Sequence, residues 1–156
     1  MYFKEFEVRW SDLDGNMHLA NSAYINFMSH TRMSFLLEQG ISLTELQKLG
    51  LGPIAFSEQI FYFKEVFGGS QVRVSLELQG LSEDGRFFQF LHNFYDTTGR
   101  NLARCTMLGG WIDTHTRKLV GLPPLYLERF QHIPKSKDFQ VLTKENTRLG
   151  MRPEDL

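Results

Sequence analysis

Apolar side chains at Tyr24, Phe27, Met28, Phe35 and Leu36, with Thr31 on the same stripe, recur at intervals of three and four. That period predicts a long amphipathic helix. Asn21 or Ser22 is placed to cap its start, and Gly40 to end it after about Gln39. Ser42 with Glu45 three residues on predicts a second short helix to Leu49. Gly50 and Gly52-Pro53 then break the chain. Elsewhere the period is two. Val72, Val74, Leu76 and Leu78 alternate with Arg73, Ser75, Glu77 and Gln79, which predicts a strand with one buried face over residues 71–79. Further strands are expected over residues 3–10, 54–64, 86–96 and 101–113. Glu83-Asp84-Gly85 and Thr97-Thr98-Gly99-Arg100 read as turns, and Gly109-Gly110 as a bend or bulge.

The order is therefore one strand, a long helix, then four strands joined by short connections. A helix and a sheet that each carry an apolar face must cover one another. The expected class is α+β, a five-stranded antiparallel sheet wrapped round a long central helix. Pro123 is suited to open a short helix through Phe130. From Lys135 the chain is mostly polar. Residues 1–134 are thus expected to form the domain and 135–156 a polar extension of it, dispensable for the core.

Composition narrows the function. A net charge of −1 gives no electrostatic case for nucleic acid or an anionic membrane. The single Cys105 excludes an internal disulfide and fits a reducing compartment. The early charges Lys4 and Glu5 do not suit a signal peptide, and no apolar run approaches the ~20 residues of a membrane helix. A cytoplasmic protein is expected. Fourteen Phe residues are many for this length and imply a large core, an oligomer interface or an apolar pocket. The five His residues show no metal-ligand spacing, and no phosphate-binding or dinucleotide fingerprint occurs. Neither a metal nor a cofactor is expected.

The segment from Val8 to Tyr24 carries the candidate chemistry. Asp14, His18, Asn21 and Tyr24 bring a carboxylate, an imidazole and a helix start into one short stretch. A carboxylate acts as base or nucleophile, and the unpaired N–H groups of a helix start stabilise a developing negative charge. By itself an Asp-Gly pair is an ordinary turn, so the weight rests on the combination. Asp12 is expected to structure the loop. His18 is expected to orient Asp14, contact substrate or pack the loop, and Tyr24 to pack. Asn21 has a double reading, as side-chain cap and as backbone donor. Glu58 falls on one face with Phe56, Ile60 and Tyr62, where a carboxylate is costly unless paired or functional. A register shift at a bulge would send it to solvent, which is the plainer expectation.

These residues resemble the 4-hydroxybenzoyl-CoA thioesterase family, which has the hotdog fold. Asp12-Leu13-Asp14 matches the family's D-x-D at the end of its first strand. His18-Leu19-Ala20-Asn21-Ser22-Ala23-Tyr24 matches the H-x-x-N-x-x-Y that opens its central helix. Thr31-Arg32 stands where the family has a small residue before Arg, and residues 60–72 resemble its second strand, bulge and third strand. Glu65-Val66 departs from the Pro-Ala usual there. The resemblance spans about residues 3–115.

It implies hydrolysis of an acyl-CoA or related acyl thioester, with Asp14 as the catalytic carboxylate and the backbone N–H of Asn21 polarising the carbonyl. Other hotdog thioesterases take their acid from mid-helix, and this helix has no Asp or Glu between Asn21 and Leu37. The resemblance further implies a homodimer or homotetramer with the site between subunits, and CoA present only as part of the substrate. Two other readings remain: a hotdog hydratase or dehydratase, whose usual spacing and glycine-rich preamble are absent, and a non-catalytic acyl-CoA binding protein.

Overall fold

The computed structural model describes all 156 residues. Strand β1 (Tyr2–Glu7) leads through a loop into α1 (Asn21–Glu38) and α2 (Leu43–Lys48), followed by β2 (Leu51–Tyr62), β3 (Gln71–Leu81), β4 (Phe87–Tyr95) and β5 (Asn101–Asp113). The chain closes with α3 (Pro124–Phe130) and β6 (Lys135–Val141). Five strands pair antiparallel in the order β1-β3-β4-β5-β2, and the sheet curls round α1 in the hotdog arrangement.

The helix forms where its apolar spacing predicts, and its buried face is Ala23, Tyr24, Phe27, Met28, Thr31, Phe35 and Leu36. Gly40, at φ +74°, takes the left-handed conformation that ends it. The start differs from expectation. Ala20 is the cap, with no side-chain hydrogen bond, and Asn21 is the first helical residue. The loop itself is pinned by the Ala20 N–H, which donates to the Asp12 carbonyl at 2.8 Å. In α2 the expected cap is present, with Ser42 Oγ accepting from the Glu45 N–H at 3.1 Å.

The expected break at Gly52-Pro53 is also absent, because β2 runs straight through it. Pro53 is tolerated there because β2 is the sheet's last strand and needs ladder bonds on one side only. The bulge lies in β2 rather than at the paired glycines. Ala55 faces Gly109 and Ser57 faces Leu108, leaving Phe56 as the extra residue. The glycines permit that approach: a Cβ on Gly109 would sit 2.5 Å from the Ile54 carbonyl oxygen.

The chain after Lys135 is not wholly a polar surface extension. β6 adds a sixth strand, parallel to β3, with pairs Leu78–Lys135 and Leu81–Val141. It takes up the edge of β3 beyond the point where β1 ends, since β1 covers Gln71 to Leu76. Leu142, 2% exposed, follows it into a small cluster with Phe87 and Leu108. Sequence periodicity missed this strand because Ser136 is its one buried residue and the buried Leu142 comes only after its end.

Two apolar clusters fill the inside. One joins the start of α1 to Val72, Val74, Phe94 and Cys105; the other joins its end to Leu78, Phe88, Trp111 and Phe130. A polar seam crosses between them. His92 is fully buried, with Nδ1 2.7 Å from the Ser75 carbonyl and Nε2 3.2 Å from Arg32 Nη1. A carbonyl only accepts and a guanidinium only donates, so Nδ1 carries the proton and Nε2 accepts.

Burial, and then the Arg32 charge, push the His92 pKa from 6.5 down to about 3. The unfolded chain therefore takes up a proton between those values that the folded chain does not, and stability falls as pH drops through that window. The slope contributed by His92 approaches about 1.4 kcal/mol per pH unit. Denaturant melts of wild type at pH 7 and pH 4.5 should show this loss. His92→Gln, which cannot titrate, should lose clearly less between the same two pH values.

Candidate active site

The loop between β1 and α1 folds back on itself. Asp14 N–H donates to the His18 carbonyl at 2.9 Å, and Met17 N–H to the Asp14 carbonyl at 3.0 Å. Met17 accordingly sits at φ +63°, a left-handed conformation unusual for a residue with a Cβ. This turn aims the Asp14 side chain inward over the loop. Its Oδ1 accepts from Asn16 N–H at 2.8 Å and from His18 N–H at 3.2 Å. Its Oδ2 receives no protein hydrogen bond, and the residue is exposed. A carboxylate held by one oxygen and open at the other is ready to take a proton or attack.

A second loop, between β2 and β3, packs against the first. Leu19 N–H donates to the Val66 carbonyl at 2.7 Å, and His18 pairs with Phe67. Between these loops and the start of α1 lies a cavity of about 330 Å³. Asp14, His18, Asn21 and Tyr24 line it from one side, and Tyr62, Lys64 and Glu65 from the other. The first backbone bond donated inside the helix start is from Ala23 to the Ala20 carbonyl. The N–H groups of Asn21 and Ser22 precede it and have no acceptor, so the positive end of α1 opens here.

Four of the six residues singled out from sequence thus share one cavity, each with a definite position. For His18, expected to orient Asp14, contact substrate or pack the loop, backbone and ring take different places. Its backbone N–H holds Asp14, while its ring packs edge-on to Phe67 at 4.9 Å, with Nε2 3.6 Å from Glu65 Oε1. Tyr24 is buried, its ring 5.0 Å from Tyr62 and 4.9 Å from Phe94. Desolvation, with Tyr62 and Asp14 nearby, raises its pKa to about 12, so the phenol stays protonated. Asn21 caps nothing with its side chain.

The other two residues lie elsewhere. Asp12 is buried and forked with Arg9, at 3.0 Å from both Nε and Nη2, and it also accepts the Arg9 N–H at 2.9 Å. Those hydrogen bonds from Arg9 hold its pKa below the usual carboxylate value. Glu58 does not turn to solvent. The bulge turns Phe56 instead, which joins Phe87 and Leu108 on the outer side. Glu58 pairs with the inward Met107 and is half-buried; its charge partly opposes the burial that lowers the Arg32 pKa and adds to the burial that raises that of Cys105. It therefore shares a face with Ile60 but not with Phe56.

Sequence reading missed the far wall of the cavity. Lys64 and Glu65 carry no motif of their own; they enter because the hydrogen-bonded loops bring them opposite Asp14. No group of three or more His, Cys, Asp or Glu side chains converges as a metal site would require. No helix is long and apolar enough to cross a membrane.

The chain belongs to the Thioesterase-like superfamily, whose model matches residues 8–130. Its structure is similar to the 1,4-dihydroxy-2-naphthoyl-CoA thioesterase of Synechocystis, with TM-score 0.75, 18% identity, and 84% of this chain and 96% of that one covered. It is also similar to a Staphylococcus aureus hypothetical protein solved in complex with CoA, with TM-score 0.77, 19% identity, and coverage of 99% and 95%. The DHNA-CoA thioesterase of Staphylococcus aureus aligns at TM-score 0.76 and 17% identity, covering 83% and 87%. No curated protein matches the chain by sequence.

Proposed function

We propose that this protein hydrolyses an acyl-CoA, or a related acyl thioester, to a free acid and a thiol. The observation that carries this reading is the juxtaposition of the free Asp14 Oδ2 with the unpaired N–H groups of Asn21 and Ser22 around one cavity. Carboxylate and helix start supply the two things the reaction needs. Asp14 either accepts a proton from attacking water or attacks the carbonyl carbon itself, forming an anhydride that water then cleaves to the free acid. The Asn21 N–H and the positive end of α1 receive the charge that develops on the thioester oxygen. The bond that breaks is C–S, and the thiolate leaves with the CoA portion. Lys64, the cation lining this cavity, is suited to a CoA phosphate.

The superfamily, and neighbours that include CoA-thioester hydrolases, support the same chemistry. The finer membership, in the 4-hydroxybenzoyl-CoA thioesterase family, is part of this proposal and rests on the D-x-D and H-x-x-N-x-x-Y matches. Against a hydratase, the His18 ring is turned toward Glu65 rather than toward Asp14.

The active species is proposed to be a homodimer or homotetramer. Strand β2 leaves twelve residues unpaired along one side, and Phe61, Tyr62 and Phe63 beside the cavity are each half or more exposed. An edge so apolar invites a second copy. Size-exclusion chromatography with light scattering, each fraction assayed for thiol release over a panel of acyl-CoAs, tests both parts. Activity should elute with a mass at least twice the 18.2 kDa of the chain. Turnover by a clean monomer would overturn the assembly, and binding of acyl-CoA without thiol release would overturn the hydrolase.

A further inference from the structure

A second cavity, of about 290 Å³, lies beyond the polar seam between α1 and the sheet. Its walls are mainly apolar, with Phe88, Phe90, Met107, Trp111 and Phe130 prominent. Ser29 and Arg32 are the polar side chains that interrupt them. Arg32 follows Asn21 by eleven residues, about 16 Å of helical rise, so this cavity stands well apart from Asp14.

Arg32 has an unusual set of neighbours. Its Nη2 donates to Ser29 Oγ at 2.9 Å and its Nη1 to His92 Nε2 at 3.2 Å. Both acceptors are neutral, since His92 carries its single proton on Nδ1. No carboxylate lies within 4.0 Å of the guanidinium; Glu58 acts on it from farther away. A largely buried cation without a paired anion is costly, and removing its few partners would make it costlier. The Trp111 ring lines the same cavity, but its indole nitrogen has essentially no accessible surface there. Trp111 is 1% exposed, and its indole N–H has no acceptor. Native proteins rarely leave such groups unpaired.

A charged donor with only neutral partners, set in an apolar cavity, describes the complement of an apolar molecule that ends in an anionic oxygen pair. We propose that this cavity is a binding site for an apolar monocarboxylate, with its carboxylate on Arg32 and its hydrocarbon body against Met33, Pro53, Ile54 and Ala55, over the buried ring of Trp111. A guanidinium fork matches a carboxylate in plane and spacing. The cavity is near the lower size limit of small-molecule pockets, about 300 Å³, which suits a medium alkyl or single-ring aryl acid. Such an acid is also the product class of the proposed hydrolysis, but the site stands whether or not that hydrolysis occurs.

Octanoate and 1-octanol, equal in chain length, separate charge recognition from simple burial. By titration calorimetry at pH 7 octanoate should bind wild type at least about tenfold more tightly, the scale of one hydrogen bond to a charged group. Arg32→Gln should erase that preference while leaving octanol binding in place. Asp14→Asn should bind octanoate as wild type does. Because Arg32→Gln strips His92 of its donor and risks misfolding, a second readout uses the unaltered protein. In a nitrogen–proton spectrum the Trp111 indole signal should shift on adding octanoate, while that of Trp10, 80% exposed, stays as an internal reference. Equal binding of the two probes, a Trp111 signal that does not move at saturation, or octanoate binding lost in Asp14→Asn would each overturn the proposal.

Discussion

Asp14→Asn is expected to lower kcat for thiol release by roughly 10²-fold or more, the contribution a general base reaches. The substitution is close to isosteric in this loop. Asn keeps an oxygen for the two backbone donors, Asn16 and His18, that Oδ1 serves at 2.8 and 3.2 Å. The new amide takes the place of Oδ2, which accepts nothing from the protein. The turn should therefore persist and the melting temperature stay near wild type. Ground-state binding needs neither the base nor the charge, so KM should change far less than kcat. Asp12→Asn makes the contrast. It breaks the fork with Arg9 and should cost stability more than activity. Near-normal kcat in Asp14→Asn, measured under saturating acyl-CoA, would remove Asp14 from the chemistry and make His18 or Glu58 the next residue to replace.

The second large effect is on stability. Deleting residues 135–156 removes β6 and Leu142 together. It strips β3 of its parallel partner and uncovers Leu81, Phe87 and Leu108. Losing one well-buried Leu side chain costs about 2–5 kcal/mol, a large share of the 5–15 kcal/mol typical of a domain. At about 2–4 °C per kcal/mol for a chain of this size, a fall in melting temperature of about 10 °C or more is expected. Deleting residues 144–156 leaves β6 and Leu142 intact and should shift the melt by no more than about 2 °C. Differential scanning calorimetry of the two truncations decides the matter. Equal melts would show that β6 merely rests on the sheet.

Elements with a strong period were readable from the sequence. The helical stripe from Tyr24 to Leu36 and the alternation from Val72 to Leu78 are repeated signals from many side chains, and each gave an element at its expected place. β6 was not readable, because a strand whose one buried residue is Ser136 has no period to detect. Gly52-Pro53 misled for a different reason. A break signal is local, whereas its tolerance depends on β2 being an edge strand, which only the pairing order reveals. Within the cavity, Asp14, His18, Asn21 and Tyr24 are close in sequence, so local geometry already brings them together. Lys64 and Glu65 arrive by loop packing, and Arg32 and His92 meet across sixty residues because α1 lies against β4. Contacts of that kind leave no trace in spacing.

The two margins of the sheet are not alike. On one side β1 and β6 lie end to end along β3, both short and carrying Lys4, Glu5, Glu7, Lys135, Lys137 and Asp138. Charge and brevity make that margin a poor template for further strands. On the other side Pro53 and the bulge at Phe56 spoil the first half of β2, which leaves the stretch from Ser57 to Tyr62 regular. A molecule with one guarded margin and one short open one has a limited valence. Two copies joined antiparallel through that stretch would each satisfy the other and present no further sticky margin, so growth by strand pairing would stop at a closed pair instead of running on into a fibre.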